Sequence, residues 1–332
     1  MHPEHLASVD IGGTKLSVTV ASRAGPLIRF VQATVKTGSP RAIVDQSRQL
    51  LVQACAHVGV DAHAIDRIGV SACGPFIRHE GQLALAPPNL CGGLAHADDL
   101  PNDWTSIPFE QGLASHFAQV EIRNDCVAAL IAERCFGAAQ NEANVAYVTW
   151  STGIGFGLCV DGHILHGKHG NAGHAGHMLL SEISEALCGC GNRGDLEGLV
   201  AGRNLGNRLG QPLADIFAAA QSGDAGALRV VEEAARWFGR GLYNLVTTLD
   251  LRCLLVGGSV WRHHANLLAP LVEAEIHTRF PALTEGVTLR GAALDDLVAD
   301  MGALALVMPA EWLADWRVRK PWAGLQSVVL PD

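Results

Sequence analysis

Asp10-Ile-Gly-Gly-Thr14-Lys15 joins a carboxylate, two glycines, a hydroxyl and an ammonium in one short turn between two strand-like runs. Gly12 and Gly13 let the backbone come close to a phosphate, while the Thr14 hydroxyl and the turn amides donate to its oxygens. Asp10, at the strand end, can hold Mg2+ through water. A glycine hairpin capped by an aspartate would look the same without binding anything, and a Walker A loop is absent. Ser151-Thr152-Gly153-Ile154-Gly155 repeats this chemistry in the second half of the chain. Gly257-Gly258-Ser259 adds a third glycine turn, between the apolar run CLLV and a helical pattern, where free amides and a positive helix end favour an anion. Any one of these turns alone is only a turn. Together they predict a nucleotide gripped by two related domains.

Asn124-Asp125 stands where a strand passes into a helix. Both residue types are favoured helix caps. A carboxylate at that point also stays ionised and can take the proton of a hydroxyl attacking a γ-phosphate. His177, Cys188, Cys190 and Asp195 offer imidazole, two thiolates and a carboxylate, a donor set that zinc accepts in one tetrahedral shell. The alternative is a glycine-rich loop with incidental thiols. His163, His166 and His169 lack such spacing and read as surface or loop residues.

These groups are positioned by strands and helices in alternation, hence an α/β fold with layered sheets. Strands are expected at 6–11, 15–22, 27–35, 67–72, 120–124, 144–150, 155–160 and 253–258. Helices are expected at about 40–57, 126–137, 195–209, 224–249 and 263–279. The stretch 86–108 reads as a long ordered loop, and 162–194 as an irregular run rich in Gly and His. The opening hairpin, in place of a βαβ unit, argues against a Rossmann domain. The last 24 residues carry Trp312, Trp316 and Trp322 and read as a segment packed on a surface groove or a neighbouring subunit.

The chain has 332 residues, enough for two domains and a sizeable core, with 48% hydrophobic and 17% charged residues. Its 24 basic and 33 acidic side chains leave a net charge of −9, which argues against nucleic acid or anionic membrane as a partner. No transmembrane segment or secretory leader is expected. The odd count of nine cysteines, with one CxC pair, is unlike a disulfide framework and fits a reduced cytoplasm.

DIGGTK, NDCVAALIAE, STGIG, GNAGHAGHM, CGCGNRGDLE and VGGSV occur here in the order found in ROK-family sugar kinases, and the chain resembles that family over roughly residues 6 to 308. The resemblance implies an actin-like (ribonuclease H-like) two-domain fold with ATP and a sugar in the interdomain cleft. One domain would comprise 1–122 plus about 295–310. The other would be 123–294, with a zinc-type loop at 170–197, and 311–332 an atypical tail. It implies Asp125 as catalytic base. Gly74, Asn124, His174, His177 and Glu197 would be sugar contacts. Asp10, Gly12, Gly13, Thr14, Lys15, Thr152, Gly153, Gly257 and Gly258 would lie along the nucleotide. ATP, Mg2+ and a structural zinc on His177, Cys188, Cys190 and Asp195 follow, as does a homodimer.

Several residues depart from the family pattern. Asp195 replaces a cysteine ligand, Val127 replaces an asparagine, and Phe156 stands where glycine is common. His174 replaces the glutamate before the Gly-His pair, and the AGHAGH run is similar to the loop of bacterial N-acetylmannosamine kinases. The expected reaction is therefore ATP-dependent phosphorylation of a hexose or N-acylhexosamine at the 6-hydroxyl, with N-acetylmannosamine ahead of glucose. Two other classes stand against it. A sugar-responsive repressor would carry a helix-turn-helix ahead of the phosphate turn, for which Asp10 leaves no room. A silent sugar-binding protein would bind sugar without turnover.

Overall fold

The computed structural model describes residues 3–94, 100–182 and 185–331. Positions 95–99 of the expected loop, 183–184 of the metal loop and 332 of the tail lie outside the described residues. Two compact units emerge, residues 1–140 with 166–171 and 296–332, and residues 141–165 with 172–295.

The first unit begins with the apolar runs His5–Ile11 (β1), Lys15–Ser22 (β2) and Gly25–Ala33 (β3), which form an antiparallel meander. β1 and β2 are buried at nearly every position, so they are interior strands covered on both faces. Helix Ala42–Val58 (α1) ends at Gly59 in the left-handed conformation, which a Cβ would penalise. Arg67–Ala72 (β4) then pairs parallel to β1. The hairpin Phe76–His79 (β5) and Gln82–Leu85 (β6) and the short helix Phe109–Ala114 (α2) precede Gln119–Asn124 (β7), which pairs parallel to β4. In the irregular stretch between β6 and α2, the Asn102 amide accepts from Gly92 N and Trp104 N and donates to Lys36 O and Leu90 O. Helix Asp125–Cys135 (α3) follows β7 directly.

The second unit repeats the plan. Val145–Trp150 (β8), Ile154–Val160 (β9) and the short His163–Ile164 (β10) make an antiparallel meander. Helices Leu196–Val200 (α4), Gly202–Leu209 (α5), Leu213–Gln221 (α6) and Ala225–Leu249 (α7) lead to Cys253–Gly257 (β11), parallel to β8. Helix Ser259–His277 (α8), the turn Pro281–Thr284 (α9) and Thr288–Gly291 (β12), parallel to β11, complete it. Its core includes Trp150 stacked on Phe238 at 4.1 Å between ring centroids.

The chain then returns to the first unit as Val298–Val307 (α10), Ala310–Arg319 (α11) and Ser327–Val329 (β13). α10 lies on β1 and β4 and against α3, and a Cβ at Gly302 would collide with the Ala128 carbonyl. The finished sheets have the orders β13-β3-β2-β1-β4-β7 and β10-β9-β8-β11-β12. Each is a three-strand meander extended by parallel strands on its first strand, the ribonuclease H-like pattern repeated.

Three expectations change. The boundary at 122/123 moves to 140/141, because α3 packs against α10 in the first unit. The tail, expected on a surface groove or a neighbouring subunit, packs within the first unit. Trp312, Trp316 and Trp322 are buried, Trp316 Nε1 donates to Arg23 O, and β13 extends the sheet beside β3. The single helix expected over 195–209 is two, because Ala201 is extended (φ −58°, ψ 140°).

Candidate active site and metal centre

Strand register builds the first half of the site. β1, β4 and β7 run parallel, so Asp10, Ser71 and Arg123 form one cross-strand row, and Ile11, Ala72 and Asn124 the next. Asp10, the Gly12–Lys15 turn, Gly74 and Asp125 therefore gather at the carboxyl ends of parallel strands, where open α/β sheets bind ligands. Asn124 is the helix cap, its side chain accepting from Cys126 N at 3.1 Å. Asp125 is the first helical residue, and its Oδ1 accepts from the same amide at 2.8 Å. The cap and the candidate base are thus two neighbouring residues. Gly74 follows Cys73, whose N–H donates to Ile11 O at the edge of the phosphate turn.

Asp10 accepts a hydrogen bond from Ser71 Oγ at 2.8 Å. Burial, with the negative charges of Asp300 and Asp125, pushes its carboxyl up to about 7 against the pull of Ser71 and Arg29. Asp300 is 1% exposed; it accepts from Ser17 Oγ, Thr19 Oγ1 and, at 2.8 Å, Arg29 Nε. Cys73 lies in the same environment, its thiol driven far upward by burial and by Asp125 and Asp10. Sequence reasoning missed Ser71, Arg29 and Asp300. It also missed Asn171, whose amide pairs with both backbone groups of Phe76, Oδ1 accepting from N and Nδ2 donating to O, each at 2.7 Å. That fixes the strand just after Gly74 and Pro75.

The second unit carries Thr152, Gly153, His174, His177, Glu197, Gly257 and Gly258. Thr149 and Gly257 are register partners on β8 and β11, so the Ser151–Gly153 turn and Gly258 lie side by side. Ser151 Oγ is 3.0 Å from Ser259 Oγ. Gly258 has φ +91°, and a Cβ there would sit 2.5 Å from Trp150 O. Only glycine lets the N-terminus of the 19-residue α8 open onto that turn. Glu197 Oε2 accepts from Ile154 N at 2.9 Å, tying the end of the turn to α4. Val127 and Phe156 are buried apolar side chains, so these two departures alter packing rather than an exposed surface.

His177, Cys188, Cys190 and Asp195 present ligand atoms all within 4.8 Å of one another. His177 Nδ1 is 3.2 Å from Asp195 Oδ2 and 3.6 Å from Cys188 Sγ, and Cys190 Sγ is 3.4 Å from Asp195 Oδ2. A tetrahedral zinc with bonds of about 2.0–2.3 Å separates neighbouring donors by about 3.3–3.8 Å. The donor set and its spacing fit the ion. Burial alone would raise the Asp195 carboxyl, but bonds from His177, Gly198 N and the two thiols hold it below the usual range. The hydrogen bond to Asp195 raises His177 correspondingly. Nδ1 is the His177 ring atom that faces the cluster. Cys188 Sγ also donates to Glu197 Oε1 at 3.3 Å.

Two meander-plus-parallel units, each with a glycine turn at its first hairpin, make this an actin-like fold with the furniture of a phosphotransferase. The ROK family matches residues 6–310, and the chain belongs to that family. It is 34% identical over 267 residues to the N-acetylmannosamine kinase of Yersinia pestis, covering 76% of this chain and 82% of that one. It is 25% identical over 328 residues to the glucokinase of Aeropyrum pernix, covering 91% and 96%. The crystal structure of the ROK hexokinase from Thermus thermophilus superposes with a TM-score of 0.74 at 30% identity, covering 91% of this chain and 97% of the other. The protein is a sugar kinase of the ROK type. No helix among the described residues is long and apolar enough to cross a membrane.

Proposed function

We propose that the protein transfers the γ-phosphoryl group of ATP to the 6-hydroxyl of N-acetylmannosamine, with Asp125 as general base. The observation that carries this is the row of parallel strand ends that brings Asp125 and the phosphate turn of Asp10 into one unit. Cys126 N anchors Asp125 through Oδ1 at the start of α3, and the carboxylate orients and deprotonates the attacking hydroxyl. Mg2+ brought with ATP would neutralise phosphate charge. Asp10 fits it as a half-buried carboxylate at the end of β1 whose hydrogen-bond donor is a neutral hydroxyl, Ser71. Amides of Gly13–Lys15, Thr152, Gly153 and Gly258, with Gly257 behind them, donate to phosphate oxygens, while Gly12 N, bonded to Lys15 O at 2.9 Å, closes the first turn.

On the sugar side we assign Glu197, Nε2 of His177, His174, Asn124 and the Gly74 backbone as contacts. His174 both donates and accepts, which suits an N-acyl group beside hydroxyls. His177, Cys188, Cys190 and Asp195 would hold a zinc ion, which would supply structural ordering of this loop. The expected assembly is a homodimer, which light scattering tests. Glucose is the second reading, supported by the glucokinase relative.

The experiment is ADP release with ATP-Mg2+ against N-acetylmannosamine, glucose, N-acetylglucosamine, mannose and fructose. N-acetylmannosamine as the strong responder upholds the assignment. Glucose as responder replaces it with the second reading. Silence from folded protein that still binds a sugar removes turnover and leaves a binding protein.

A further inference from the structure

Asp195 does two things at once. It is fully buried, and its two oxygens face different partners. Oδ2 points at His177 Nδ1 and Cys190 Sγ, in the metal cluster. Oδ1 accepts from Gly198 N at 2.7 Å and caps α4. α4 has five residues, too few to hold a helical turn by propensity alone. Its start is fixed from outside by this cap and by Leu196 N donating to Met178 O at 3.0 Å.

We propose that Asp195 shares its carboxylate between a bound zinc-type cation and the Gly198 amide, so that ion occupancy fixes the first turn of the helix that carries Glu197. A thiolate at this position would complete the metal shell, but sulfur is a weak hydrogen-bond acceptor and could not cap the helix as well. The carboxylate therefore links the ion to α4 in a way that a third cysteine would not. The ion orients Oδ2, and the rigid carboxylate plane carries that orientation to Oδ1.

Two substitutions separate the two tasks. Asp195→Asn keeps an oxygen for the cap but replaces an anionic ligand with a poor one. Asp195→Cys keeps an anionic ligand and removes the cap. Full-length protein stripped with a chelator is titrated with Co2+ alone, followed by its tetrahedral visible absorption, and with Zn2+ alone, followed by hydrogen exchange across 195–200. In the wild type, Zn2+ should slow exchange at the Gly198 amide by roughly tenfold or more, the scale on which ligand-orienting partners act. Asp195→Asn should bind Co2+ at least about tenfold more weakly and show no slowing at a Zn2+ concentration that saturates wild type. Asp195→Cys should bind Co2+ at least as tightly, yet show little Zn2+-dependent slowing at Gly198. Equal slowing in Asp195→Cys and wild type overturns the shared carboxylate. So does undiminished Co2+ affinity in Asp195→Asn, or a wild type that takes up neither ion. Should Asp195→Cys fail to fold, the wild-type and Asp195→Asn pair still decides.

Discussion

The negative charge of Asp125 helps to hold the Asp10 carboxyl, one strand row away from Asn124, at about 7. Burial is the larger cause and Asp300 the next. A carboxyl that titrates near neutrality is at once a handle on stability and on metal binding. The native state keeps the Asp10 proton more tightly than the unfolded chain, whose value is 3.8. Its stabilising contribution is complete below about pH 4 and is lost as the pH climbs through about 7. Urea midpoints measured from about pH 4 to 8 should therefore fall along that limb in wild type and stay flatter in Asp10→Asn. Ionisation of the same carboxyl favours Mg2+, so turnover should rise through about pH 7, and excess Mg2+ should move that rise to lower pH. A rise that ignores Mg2+ would detach Asp10 from the cation.

Asp125→Asn preserves the shape of the side chain and an acceptor for Cys126 N, and so leaves α3 capped. Turnover should drop by roughly 10²-fold or more, the size of a lost general base. Sugar affinity, measured by calorimetry without ATP, should stay within about threefold, since only a step of the reaction has been removed. Retained turnover would take the proton-accepting role away from Asp125.

Arg29 is the cation beside Asp300, at 2.8 Å, with Asp300 buried and Arg29 only 18% exposed. Arg29→Met strands a buried carboxylate, which should cost about 3–5 kcal/mol of unfolding free energy. The pull of Arg29 on Asp10 disappears as well, so the acid limb of turnover should move to higher pH than in wild type. Asp300→Asn keeps the acceptors for Ser17 and Thr19 and removes the charge, and should move that limb the other way. Urea titration and pH–rate profiles read both effects. A limb unmoved by either change would separate the network from Asp10.

What the sequence reveals of this site is what lies close together in the chain. Strand–turn–strand alternation exposes the two glycine turns, and the strand-to-helix switch at Asn124-Asp125 exposes the candidate base. The cluster at 177–195 shows through its donor types. Asp300 was hidden because its partner Ser17 is 283 residues away and because the apolar run around it carries no motif of its own. Asn171 was hidden in a stretch without periodicity, where only the fold shows its side chain imitating a strand partner for Phe76. Short elements such as β12 and α6 gave too few residues for a periodic signal. The unit boundary was misplaced for a related reason. A helix that follows a strand looks like the start of the next domain until α10, coming from the far end of the chain, is seen to pack on it.

His174 stands three residues before His177, their rings 6.3 Å apart, in the loop assigned to the sugar. A glutamate there would only accept hydrogen bonds, whereas imidazole can donate to an acyl oxygen and accept from a hydroxyl. His174→Glu should therefore lower kcat/KM for N-acetylmannosamine by roughly tenfold or more relative to glucose, as expected when a polar group in a site loses its matched partner. The KM for ATP should be unchanged, because the phosphate turns are untouched. Steady-state kinetics on both sugars, with ATP varied in each, measures the ratio. An unchanged ratio would move the source of selectivity away from His174, and a uniform loss on both sugars would make it a general sugar contact.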